Sequence, residues 1–135
     1  MCSSPPQLRI LVVDDDEMVR NTLKRILQYD RHAVEEAGGA NVALDMLKRE
    51  RFDLVITDYD MPGMKGDALA AAIKSLVPTQ PVMMVTAYVE TVPNNPSVMK
   101  NLDGLVPKPF WLDTLREAIA QAVAGRRQPA DSPNP

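Results

Sequence analysis

Asp53-Leu54-Val55-Ile56-Thr57-Asp58-Tyr59-Asp60-Met61-Pro62-Gly63-Met64-Lys65-Gly66 is the stretch that decides the fold. A short, β-branched apolar run ends abruptly in the carboxylate of Asp58, and a turn rich in Pro and Gly follows. That pattern predicts a parallel strand buried on both faces, with Asp58 at its C-terminal end and an irregular loop beyond. In open α/β sheets the carboxyl ends of the strands are where ligands bind. Asp58 in that position reads as a nucleophile for a phosphoryl group.

Working outward, Ile10-Leu11-Val12-Val13 is a second continuous apolar run, and it ends in Asp14, Asp15 and Asp16. Val19, Leu23, Ile26 and Leu27 recur at helical spacing behind it, with Asp16 as the cap. A weaker strand covers about Ala33 to Ala37. Ala40, Ala43, Leu44 and Leu47 then mark a second amphipathic helix. Beyond the opening stretch, Leu69, Ala72, Ile73 and Leu76 mark a third helix, ended before Pro78. Val82 to Thr86 is another buried strand. Pro93 and Pro96 break the next segment, so its helix is irregular or short, about Ser97 to Leu102. Leu105-Val106 is a short last strand. Leu112, Leu115, Ile119, Ala122 and Val123 form a final helix, which Gly125 ends.

The order is β then α, five times. It predicts an α/β fold, a doubly wound five-stranded parallel sheet in the order 2-1-3-4-5, the flavodoxin-like arrangement. One domain is expected over residues 8–125, with a disordered lead-in at 1–7 and a disordered tail at 126–135. A chain of 135 residues needs no staples to hold a core. The net charge of −3 argues mildly against non-specific nucleic-acid binding, and no direct nucleic-acid partner is expected. The single Cys2 excludes an internal disulfide, and no apolar run is long enough for a membrane span, so a cytoplasmic location is expected.

In this strand order the first and third strands are neighbours, and both end in acid. Asp14, Asp15 and Asp58 then converge in one cleft, where uncompensated carboxylates repel and raise one another's pKa. Such a cluster calls for a hard divalent cation, and Mg²⁺ suits it, held by Asp15, Asp58 and a backbone carbonyl of the loop. Thr86 closes the fourth strand with a hydroxyl, and Lys108 follows the fifth with an ammonium. Phosphoryl transfer is mostly positioning and charge neutralisation, so these groups suffice for it.

The motifs Leu11-Val12-Val13-Asp14-Asp15, Asp58 to Gly66, Val85-Thr86-Ala87 and Lys108-Pro109-Phe110 resemble those of the receiver domain of two-component response regulators, from about Leu8 to Gly125. The resemblance implies that Asp58 is the phosphoacceptor. It implies Mg²⁺ bound by Asp15, Asp58 and the Asp60 carbonyl, with Asp14 acting through water. It implies that Thr86 and Lys108 contact the phosphoryl oxygens, and that the Lys108–Pro109 bond is cis. The donor would be a sensor histidine kinase or a histidine phosphotransfer protein, the recipient of the signal another protein, and a phosphorylation-linked homodimer is a further expectation. Such a module catalyses only its own phosphorylation and dephosphorylation and is not otherwise an enzyme.

Two other readings compete. A phosphorylation-independent interaction module would keep the fold with a vestigial pocket. An Asp-nucleophile phosphatase of the haloacid-dehalogenase type would use Asp58-Tyr59-Asp60, but there the acid pair comes early and the other acids late, the reverse of the order here. Against the receiver pattern, Leu105 stands where an aromatic residue is common, Leu102-Asp103-Gly104 replaces the usual Gly-Ala, Arg31 stands where a helix-ending Gly is common and Trp111 where a polar cap is common. Trp111 and Phe110 read as packing under the last helix, His32 as a loop residue and not a ligand, and Tyr88 as a candidate gate.

Overall fold

The continuous apolar runs form the centre of the sheet because each can be covered on both faces. The computed structural model describes residues 7–87 and 96–131. Five strands, β1 (Arg9–Val13), β2 (Ala33–Ala37), β3 (Leu54–Thr57), β4 (Val82–Thr86) and β5 (Gly104–Pro107), pair in the order β2-β1-β3-β4-β5. All four pairings are parallel. The helices are α1 (Glu17–Tyr29), α2 (Ala40–Arg49), α3 (Gly66–Leu76), α4 (Pro96–Met99) and α5 (Leu112–Asp131). The chain therefore has the flavodoxin-like fold. Tyr88 and Pro93 lie outside the described residues.

Strand periodicity divides the core in two. Ile10, Val12, Leu54, Ile56, Met83 and Val85 face α1 and α5, where they pack on Leu23, Leu27, Leu115 and Ile119. Leu11, Val13 and Val55 face the opposite way and pack with Ala43, Leu47, Leu69 and Ile73 of α2 and α3. Each fully buried Val, Leu, Ile or Met among them contributes roughly 1.5–3 kcal/mol of hydrophobic stabilisation. Asp16 caps α1 as its sequence position predicts, accepting a hydrogen bond from the Met18 amide at 2.9 Å. At the other end of that helix, Arg116 of α5 donates two hydrogen bonds to the Asp30 carboxylate, at 2.8 and 2.9 Å.

Four local expectations need correction. Composition ends the last helix at Gly125, but α5 continues to Asp131. An interior glycine costs a helix only about 1 kcal/mol, and Arg126, Arg127 and Gln128 beyond it are good helix formers. The fourth helix is a single turn that starts at Pro96 and ends at Met99, short of Leu102. Proline is well placed at a helix start because its missing N–H has no partner there in any case. Phe110 does pack against the core, but Trp111 is 80% exposed. Its carbonyl accepts the Leu115 amide at the start of α5, which anchors its backbone while the indole stays in solvent. Met61 is more than a loop residue, being buried against α2 and α3.

Candidate functional site

The β1–β3 pairing sets Val13 beside Thr57, so the residues that follow, Asp14 and Asp58, leave the sheet side by side. Both remain tied to it: the Asp14 amide donates to the Ala37 carbonyl at 3.2 Å and the Asp58 amide to the Val13 carbonyl at 3.1 Å. Carboxylate oxygens of Asp14, Asp15 and Asp58 lie within 4.8 Å of one another. An all-oxygen cluster of three carboxylates has the donor chemistry that a hard divalent cation requires, so the residues fit Mg²⁺.

Burial differs across the cluster. Asp14 is 2% exposed, whereas Asp15 is open to solvent. Burial, above all, pushes the Asp14 carboxyl upward, and the charges of Asp58 and Asp15 add to this. The Asp16 amide, 2.9 Å from Asp14 Oδ1, and the Lys108 ammonium work against the rise without overcoming it.

Lys108 reaches the cluster from the end of β5. Its Nζ lies 3.3 Å from Asp58 Oδ1 and 3.7 Å from Asp14 Oδ2. The Lys108–Pro109 peptide is cis. The Lys108 amide donates to the Thr86 carbonyl at 2.8 Å, which ties the lysine to the end of β4. Thr86 itself is fully buried there. The Tyr59 amide donates to Asp58 Oδ1 at 2.8 Å. The loop after Asp58 folds back through the Gly66 amide, which donates to the Tyr59 carbonyl at 2.8 Å, and Gly63 sits at φ +83 in the left-handed region that glycine enters without strain. Asp60 stands outside the three-acid cluster, and its exposed carboxylate pairs with Lys65 at 2.8 Å.

Two features escape sequence reading. Periodicity assigns Arg20 only to the polar side of α1. In the fold its Nη1 donates to the Asp14 carbonyl at 2.7 Å and its Nε to Glu36 Oε1 at 3.2 Å. The second is an apolar groove of about 610 Å³ beside the lysine, lined by Met18, Val19, Ile26, Lys108 and Phe110 among others. At the aromatic-to-Leu105 departure, Leu105 packs with Tyr59, Met99 and Leu102 on the buried Met84.

A doubly wound sheet with an acid cleft at its switch point, and a lysine reaching in from the last strand, defines a flavodoxin-like α/β module. Residues 10–120 match the model of the response regulator receiver domain, and the chain belongs to that family. It is 34% identical over 124 residues to the response regulator MprA of Mycobacterium avium, covering 92% of this chain and 54% of that protein. The MprA of Mycobacterium leprae is 33% identical over 125 residues, again covering 54% of the relative. The chain thus spans about half the length of the curated relatives it matches. Among solved structures, the response regulator TrrA of Thermotoga maritima, in complex with Mg²⁺-BeF, is 32% identical with a TM-score of 0.79, covering 84% of this chain and 97% of that one. Among the described residues no helix is long and apolar enough to cross a membrane.

Proposed function

We propose that Asp58 accepts a phosphoryl group from a phosphohistidine on a sensor histidine kinase or histidine phosphotransfer protein. The observation that carries this reading is the meeting of Asp14, Asp15 and Asp58 within 4.8 Å, with the Lys108 ammonium 3.3 Å from Asp58. In the transfer, an Asp58 carboxylate oxygen bonds to phosphorus and the P–N bond breaks. The electron pair returns to the imidazole nitrogen, and the phosphoryl group becomes an acyl phosphate.

Asp15, Asp58 and the Asp60 backbone carbonyl would hold Mg²⁺, with Asp14 acting through water. When bound, Mg²⁺ would neutralise charge on the acids and on the phosphoryl oxygens. Lys108 supplies a second cation for those oxygens, and the Thr86 hydroxyl a donor. The new charge draws these two groups inward and biases the neighbouring surface toward an arrangement read by a downstream protein. The module turns over no other substrate.

The test is Mg²⁺-dependent labelling with acetyl phosphate or phosphoramidate, read by intact mass. One phosphoryl increment is expected, absent in Asp58→Asn. No increment at saturating Mg²⁺ would favour an interaction module that works without phosphorylation. Size measured before and after labelling reports on a phosphorylation-linked homodimer.

A further inference from the structure

We infer that Arg20 is a positioning residue for the cation site: its guanidinium, held by Glu36, fixes the Asp14 carbonyl and thereby aims the Asp14 and Asp15 carboxylates. The inference rests on the reading of the acid cluster as a Mg²⁺ site.

Asp14 sits where strand becomes helix, and such a corner is free to pivot unless its backbone groups are held. Its amide is held by Ala37 and its side-chain Oδ1 by the Asp16 amide. The remaining handle is its carbonyl, which Arg20 Nη1 grips at 2.7 Å. That carbonyl belongs to the peptide plane shared with Asp15. Its orientation, together with the φ of Asp15, sets the direction in which the Asp15 side chain leaves the backbone.

The guanidinium is itself fixed. Its Nε donates to Glu36 Oε1 at 3.2 Å, while Lys24 binds the other oxygen of Glu36 at 3.1 Å. It lies against Gly38, where an added Cβ would stand 3.4 Å from Nη1. The side chain is 18% exposed, so solvent competes little for its donors. A planar fork can serve a carboxylate and a carbonyl at once, which an ammonium on a flexible stem does less well. Residues that orient metal ligands commonly cost 10–100-fold in metal affinity when lost. Arg20 holds backbone and not a ligand side chain, so the lower end of that range applies.

The experiment is a Mg²⁺ titration of the whole chain, followed by backbone amide NMR shifts at the ends of β1 and β3. Arg20→Met is expected to raise the apparent dissociation constant about tenfold. Arg20→Lys, which can reach the carbonyl with one donor, should recover part of the loss. Acyl-phosphate labelling of Arg20→Met should be slow at low Mg²⁺ and return to the wild-type extent at saturation. Glu36→Gln, whose amide oxygen can still accept from Arg20 Nε, should loosen the guanidinium and raise the Mg²⁺ dissociation constant by less than Arg20→Met does. An Arg20→Met dissociation constant within twofold of wild type would overturn the inference and leave the proposed function standing. A wild-type chain with no Mg²⁺ response would overturn both.

Discussion

Gly66 has no room for a side chain. A Cβ there would lie 2.1 Å from the Asp58 carbonyl oxygen and 2.9 Å from the Tyr59 Cα, and both are backbone. Gly66→Ala must push the loop away from the end of β3, so it should destabilise by about 1–3 kcal/mol, seen as a lower urea midpoint. On the proposed function it should also slow labelling of Asp58, because the displaced carbonyl is Asp58's own. Asp14 invites the opposite substitution. Asp14→Asn removes a buried charge from beside two others while keeping an oxygen for the Asp16 amide. Without divalent cation, near neutral pH, it should raise stability by about 0.5–2 kcal/mol, while Mg²⁺ should stabilise it less than it does the wild type. A lower urea midpoint in cation-free buffer would contradict this. Arg31 carries a φ of 72, the left-handed region that is costly for any residue with a Cβ, and its position after α1 is one where glycine is common.

At the scale of elements, what was legible followed the strength of the local pattern. β1, β3 and β4 could be placed because a continuous apolar run has few alternatives, and right-handed crossovers left few orders, of which 2-1-3-4-5 is the common one at this size. The acid cluster was legible for the same reason: once two adjacent strands end in carboxylates, the sheet brings them together. The end of α5 was not legible, because one glycine weakens a helix without stopping it. Nor was the Arg20 contact, since a charged residue on the polar side of an amphipathic helix carries no mark of a partner that arrives from another strand. Trp111 misled because an indole in sequence suggests burial, whereas the fold engages its backbone at the start of α5 and leaves the ring in solvent. Leu27 of α1 is fully buried against the sheet, and Leu27→Ala should cost about 2–5 kcal/mol in urea unfolding without altering the position of the acid cluster.

At the scale of the whole molecule, pH acts on the two ends of the sheet with opposite signs. His32, the single histidine, accepts the Leu8 amide on Nδ1 at 3.1 Å, and burial holds its pKa below the ordinary 6.5. The folded state therefore binds fewer protons there than the unfolded one. The stability this contributes is present above pH 6.5 and is lost as pH falls through that value toward the folded pKa. Asp14, with its raised pKa, works the other way, gaining stability as pH falls. A one-dimensional NMR titration of the His32 ring should give a midpoint below 6.5, and a midpoint above it would contradict the sign.

The doubled contact between Arg116 and Asp30 ties the far end of α1 to α5. The near end of the same helix is fastened as well, since Arg20 grips the Asp14 carbonyl and shares Glu36 with Lys24. That near end, Asp16 to Val19, borders the acid cleft and forms one wall of the groove beside Lys108. Braced at both poles, the helix stands as a fixed wall beside Lys108.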